Sequence, residues 1–361
     1  MQLRTLWLRD FRGYEQAELH PAPGLTAVVG ENGQGKSNLL EAVAYLATLE
    51  SFRGAPTEAM VRVGADTAVV RAELERDGRE LLVEAELSRH GRNRVHVNKQ
   101  RLRRARDLLG ALRVTVFAPD DLAVVKEGPA LRRRYVDELV VALTPRHDAL
   151  RMEVDRVLRQ RSALVRQVAG TRPERLAPDV AATLDVWDAK LAEAGEALAA
   201  ARRRALAELG PGLEKAYGQV TPRGGVVAVS YQSTWPEGGL LEALQAARAD
   251  DLRRGVTTVG PHRDDVLVEL DGLPARLHAS QGEQRSLALA LRLAGHDLVT
   301  AAIGSPPLLL LDDVFSELDP FRSAALVAHL PAGQTLLTTA SGLPPGAVPD
   351  LVVEVHEGRL R

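Results

Sequence analysis

Residues 30–37, Gly30-Glu31-Asn32-Gly33-Gln34-Gly35-Lys36-Ser37, match the pattern G-x-x-x-x-G-K-[ST]. These types at this spacing suit one task, holding the phosphates of a nucleotide. Gly30, Gly33 and Gly35 let the backbone turn tightly, so that consecutive N–H groups face one phosphate. Lys36 can reach the outer phosphates, and the Ser37 hydroxyl can ligate Mg²⁺. The candidate ATP-contacting run extends through Asn38. Two further groups could complete such a site. Ser280-Gln281-Gly282-Glu283-Gln284 opens an apolar-periodic run, and Asp312-Asp313 closes the apolar run Leu308-Leu309-Leu310-Leu311. Asp312 would complete the Mg²⁺ shell, and Asp313 would orient or deprotonate an attacking water.

Each group needs an element to aim it. Thr26-Ala27-Val28-Val29 reads as a short buried strand, and Asn38-Leu39-Leu40-Glu41-Ala42-Val43 as a helix. Strand, glycine loop and helix form the context that such a loop requires, and they argue against a glycine turn that binds nothing. The helix opening at Lys36 adds its positive end. Ser280 and Glu283 have capping-box spacing, which alone would explain both. Yet Gly282 in a first helical turn costs about 1 kcal/mol against Ala. Close approach of a γ-phosphate to that backbone would account for it, with Ser280, Gln281 and Gly282 in contact. Ser280, Lys36 and Asp313 are the candidate catalytic residues.

The remainder of the chain bounds the setting. It has 361 residues, 45% apolar and 26% charged, with net charge −2 and a pI near 6.5. Nucleic-acid affinity would therefore need a local patch. Five lysines stand against 41 arginines, so arginine abundance by itself says little. There is no cysteine, which excludes disulfides and thiolate metal sites. The first residues lack a signal-peptide core, and no apolar run approaches the ~20 residues of a membrane span. A cytoplasmic protein with no membrane partner is expected.

Residues 1–29 read as an antiparallel hairpin turning near Pro21-Ala22-Pro23-Gly24 and leading into the core strand. Residues 67–97 alternate as strands, with Asp77-Gly78 and Asn98-Lys99 as turns. Residues 87–106 hold Arg89, Arg92, Arg94, Lys99, Arg101, Arg103, Arg104 and Arg106 and no acid. They could neutralise DNA phosphates, or form a solvated hairpin. Val114-Thr115-Val116-Phe117 reads as a strand. Two long helices follow, one of about 25 residues from Thr144-Pro145 to Gly170 and one ending at Gly210-Pro211, each ~35–45 Å long. The spacing of Leu184, Trp187, Leu191, Ala194 and Leu198 gives the second an apolar stripe, so the two should pair antiparallel. Strands at residues 226–231 and 266–270, a helix at 240–249 and a last strand at 335–339 complete the pass.

The order of loop, serine-glycine helix start and paired acids resembles the ABC-type ATPases, with 280–284 as signature, Asp312-Asp313 as Walker B and 316–319 as D-loop. More closely it resembles the RecF family, related to SMC proteins. Pro119-Asp120-Asp121-Leu122, Gly128-Pro129, Arg132-Arg133-Arg134-Tyr135-Val136-Asp137, Gly260-Pro261-His262-Arg263-Asp264-Asp265 and Leu311-Asp312-Asp313-Val314-Phe315-Ser316-Glu317-Leu318-Asp319 carry that likeness. The resemblance implies an α/β fold: an ABC-type P-loop ATPase head with an antiparallel β subdomain and an inserted short helical lobe. The head would comprise 1–130 and 251–361, and the lobe 131–250. It implies an ATP-dependent homodimer, with ATP between the loop of one copy and Ser280 of the other. That dimer would clamp DNA, double-stranded or at gaps and single-strand junctions, assist recombinase loading with RecR-type and RecO-type partners, and hydrolyse ATP weakly with stimulation by DNA. Against the wider ABC pattern, Asp313 stands where Glu is usual, Thr338-Thr339 where a switch His is usual, and Asp120 or Asp121 where a Gln is usual. Slow turnover is the expectation. Residues 260–265 could be a structural loop or part of the nucleotide interface. A non-hydrolysing scaffold and a transporter's nucleotide-binding subunit are the alternatives.

Overall fold

The computed structural model describes residues 1–361 except Asp77 and Ser341, so the Asp77 turn lies outside the described residues. In chain order the elements are β1 (Gln2–Phe11), β2 (Tyr14–Leu19), β3 (Leu25–Val29), α1 (Lys36–Thr48), α2 (Thr57–Met60), β4 (Thr67–Arg76), β5 (Arg79–Ser88), β6 (Arg94–Val97), β7 (Gln100–Arg101) and β8 (Val114–Phe117). Then come α3 (Pro129–Leu143), α4 (Asp148–Gln167), α5 (Pro178–Val220), β9 (Val227–Gln232), α6 (Leu240–Arg254), β10 (Asp265–Leu270), β11 (Leu273–Pro274), α7 (Ala275–His278) and α8 (Gln281–Ile303). The chain closes with β12 (Leu308–Asp312), α9 (Pro320–Ala328), β13 (Thr335–Thr339), β14 (Leu351–His356) and β15 (Arg359–Leu360).

Two compact units emerge. The first comprises Met1–Leu122, Ala216–Arg223 and Arg285–Arg361, and the second Ala123–Lys215 and Gly224–Gln284. Residues 251–284, grouped with the head in the sequence reading, thus cluster with the helical unit.

The first unit holds two sheets. One is antiparallel, in the order β2-β1-β4-β5-β6-β7; the other runs β15-β14-β3-β13-β12-β8, parallel except for β15. Strands β12 and β13 are buried along their full length, as central strands covered on both faces must be. Helix α1 is apolar nearly all round because it packs against both sheets, and Leu39, Leu40, Val43 and Leu46 join one core with residues of each. The first hairpin turns at Arg12-Gly13, not near Pro21; residues 20–24 instead carry the chain from one sheet to the other. Nor is β13 the last strand. β14 and β15 follow, and β14 pairs with β3.

In the second unit α4 begins at Asp148 after a single 3₁₀ turn at Pro145–His147. Helix α5 runs 43 residues to Val220, straight through Pro211. Proline removes one helical hydrogen bond, but Leu206, Leu209, Leu213, Tyr217 and Val220 keep one buried face on both sides of it. By rise per residue α4 is about 30 Å long and α5 about 65 Å. Val154 and Val157 pack against Leu191 and Leu198, while Arg161 meets Asp188, so α4 and α5 run antiparallel. Fully buried Arg161 joins three elements, donating to Asp188 (2.6 Å), Asp251 (2.6 Å) and Thr257 (2.9 Å). Helix α8, which belongs to the first unit from Arg285 onward, is long and apolar enough by composition to cross a membrane, yet 61% of its apolar window is buried within the protein.

Candidate nucleotide site

The parallel sheet decides where the chemistry gathers. β3 delivers the glycine loop at its carboxyl end, and β12 delivers the two acids at the same end. β13 lies between them, with Thr338 opposite both Val28 and Asp312. Ligands of parallel sheets bind at such carboxyl ends. Gly30 to Asn38, Asp312 and Asp313 therefore share one unit and one sheet edge. Ser280, Gln281 and Gly282 belong to the second unit.

The loop is held from two sides. Gly30 (φ 152°) lies where a Cβ would sit 2.5 Å from the Val355 carbonyl oxygen. Gly35 (φ 113°) precedes α1, and a Cβ there would sit 3.1 Å from the Tyr14 hydroxyl. Tyr14, fully buried on β2, donates its hydroxyl to the Gly35 carbonyl (3.0 Å). Burial raises that phenol above its usual value, so it remains a donor. On the other side the Gln34 Oε1 accepts the Glu357 N–H (2.6 Å) from the β14–β15 turn. The Gln34 side chain thus faces the C-terminal hairpin. Glu31, Asn32 and Gly33 form the exposed crest.

Lys36 is 6% exposed, and its Nζ donates to the Gly30 (2.7 Å) and Glu31 (2.8 Å) carbonyls. Burial lowers its pKa, and Asp313 and Asp312 act in the opposite direction. Asp312 is buried, which raises its carboxyl above the usual range; hydrogen bonds from Ser37 and Thr338 oppose that rise. Asp313 occupies the left-handed region (φ 48°, ψ 28°), which costs a non-glycine residue about 1–2 kcal/mol. That turn leaves its Oδ1 buried with no hydrogen-bond partner among the described residues. An orphaned buried carboxylate oxygen is costly unless something arrives to meet it. Among the described residues no cluster of three metal-ligating side chains occurs. Ser37 with Asp312 fits Mg²⁺ nonetheless, because that ion takes one or two protein ligands and completes its shell with phosphate and water.

Other predicted positions find plainer partners. Ser280 donates to the Glu283 carboxylate (2.7 Å) and accepts the Glu283 N–H (3.3 Å), a complete capping box. Gln284 turns inward to the Ala275, Arg276 and Ala279 carbonyls, leaving Ser280 and Gln281 exposed at the tip of α8. Asp121 accepts the Ala118 N–H (2.8 Å) and pairs with Arg292, whereas Asp120 is exposed. Within 260–265, Asp265 takes Arg132 in a two-pronged pair and Asp264 accepts from the Tyr231 hydroxyl (2.6 Å). Arg202 joins Asp137 to the Pro261 carbonyl. The basic stretch is thinner than its count. Arg89 serves backbone carbonyls, Arg94 pairs with Glu86, and Arg106 with Glu50. Arg92, Lys99, Arg101, Arg103 and Arg104 are exposed and, among the described residues, carry no ion pair.

Sequence reasoning passed over Tyr14 and the C-terminal hairpin as supports of the loop. A scarce aromatic directly after an Arg-Gly turn was the one available signal for Tyr14. For residues 355–357 none existed, because their contact spans the chain.

A phosphate loop and an acid pair on one parallel sheet, an antiparallel sheet across α1 and a helical second unit together define an ABC-type ATPase head. The RecF/RecN/SMC N terminal domain family matches residues 2–337. The DNA replication and repair protein RecF of Streptomyces avermitilis is 45% identical over 94% of both chains. That of Acidothermus cellulolyticus is 43% identical, over 100% of this chain and 99% of its own. A solved structure of the recombination mediator protein RecF-ATP in the RecFOR pathway superposes with a TM-score of 0.89 at 27% identity, over 99% of this chain and 96% of that one. The chain belongs to the RecF family.

Proposed function

We propose that the chain is an ATP-dependent DNA-binding protein of replication and repair, in which ATP joins two copies around DNA and slow hydrolysis releases them. One observation carries the reading: the unpartnered Asp313 oxygen beside a buried Lys36 and the Ser37–Asp312 pair, all at one sheet edge. When bound, Mg²⁺-ATP supplies a phosphoanhydride that water can cleave. Lys36, now held by loop carbonyls, neutralises the outer phosphates. Ser37 and Asp312 would hold the metal, and Asp313 would orient the water and take its proton. Asp313 is one methylene shorter than Glu, which supports slow turnover. Ser280, on an exposed helix tip, offers a helix N-terminus to the nucleotide of a second copy, and its hydroxyl would donate there on leaving the Glu283 carboxylate. The exposed arginines at 101, 103 and 104 supply the DNA-facing charge.

The relatives' names support the repair role, and RecR-type and RecO-type proteins are the partners it would take, acting at gaps in the cytoplasm. Gel filtration and DNA retention, each with and without Mg²⁺-ATP, test the reading. It requires ATP-dependent dimers whose DNA binding weakens with salt, and loss of both in Lys36→Met. A chain that remains monomeric with ATP and ignores DNA refutes it.

A further inference from the structure

One hydroxyl touches both acids of the site. Thr338 lies on the strand between the phosphate loop and the acid pair and is completely buried. Its Oγ1 donates to Asp312 Oδ1 (2.8 Å) and accepts the Asp313 N–H (2.9 Å). A hydroxyl has one proton to give and lone pairs to receive, so both bonds form together. The first fixes the rotation of the Asp312 carboxylate. The second satisfies a backbone donor in a left-handed residue, the one whose Oδ1 is buried without a hydrogen-bond partner among the described residues and whose carboxylate acts on Lys36. The register explains how this strand does so, because Thr338 lies opposite Asp312 across a parallel pair.

We infer that Thr338 is a positioning residue of the ATPase site, setting the metal-side and water-side carboxylates through a single hydroxyl. The inference rests on the ATPase reading above. It predicts a division of labour. Lys36 and the loop amides bind phosphates without Thr338, whereas the gain in affinity that Mg²⁺ brings, and the hydrolysis step, depend on it. Val has nearly the same shape as Thr and lacks the hydroxyl; Ser keeps the hydroxyl and lacks the methyl.

The test uses the full chain as wild type, Thr338→Val and Thr338→Ser. A fluorescent ATP analogue is titrated with Mg²⁺ and with EDTA, and ATP turnover and thermal unfolding are measured beside it. Thr338→Val should keep its Mg²⁺-free affinity, lose about tenfold of the Mg²⁺-dependent gain, and fall at least about tenfold in kcat with a smaller change in KM, the scale of one or two lost hydrogen bonds. Thr338→Ser should restore both. Wild-type Mg²⁺ dependence and turnover in Thr338→Val overturn the inference. So does a uniform loss of Mg²⁺-free and Mg²⁺-dependent binding that follows a lowered melting temperature and is not rescued by Ser. If the wild type binds no nucleotide, the ATPase reading itself fails, and the inference with it.

Discussion

Replacing Tyr14 with Phe separates the support of the phosphate loop from the packing around it. The ring is retained, so the van der Waals contact with Gly35 at the base of the loop persists and no cavity opens. What disappears is the hydroxyl bond to the Gly35 carbonyl at 3.0 Å. That carbonyl keeps a second partner, the Asn38 N–H at 3.0 Å, so it is not orphaned. The loss is then the net worth of one neutral hydrogen bond, about 1 kcal/mol. In unfolding by urea this should appear as a destabilisation of that size. In binding, the freed Gly35 peptide must be re-ordered when phosphate arrives, so nucleotide affinity should weaken by up to about fivefold. Fluorescent-nucleotide titration measures the second effect and denaturation the first. A destabilised protein with unchanged nucleotide affinity would refute the reasoning, leaving Tyr14 as core alone.

Three further outcomes follow from particular contacts. Ser280→Arg places a bulky cation at the exposed tip of α8, and should spare nucleotide binding by the single chain while preventing ATP-dependent dimers; lost binding would count against a two-chain site. Arg161→Met leaves fully buried Asp188 and Asp251 without their shared cation, although Asp188 keeps Arg248. It should cost about 3 kcal/mol, read by denaturation through Trp187 and Trp235, and a change under about 0.5 kcal/mol would contradict it. His296 is 1% exposed, and burial depresses its pKa to about 4. The unfolded chain binds the proton first, so its contribution is full above about pH 6.5 and drains away as pH falls towards 4, to a limit of about 3 kcal/mol. His296→Leu should flatten that acid limb of the stability profile.

The chain's local order settled much of this. A glycine loop followed by helix, a serine three residues before a glutamate, and a leucine strand ending in two aspartates are short-range patterns. Backbone geometry and capping act over a few residues, so such patterns are legible without the fold. The antiparallel run of strands and the apolar stripe of α5 were legible for the same reason, as periodicities of 2 and 3.6. The helix boundary at Pro211 was not, because a buried face on both sides of the proline outweighed the local signal. Tertiary structure alone decided which groups meet. Thr338 acquires its place from strand register, Gln34 turns to a hairpin 323 residues away, and Tyr14 reaches Gly35 from another sheet. Arg89, Arg94 and Arg106 count as basic charge in the sequence and are committed in the fold. Contacts of this kind arise from the packing of distant segments, and no local spacing encodes them.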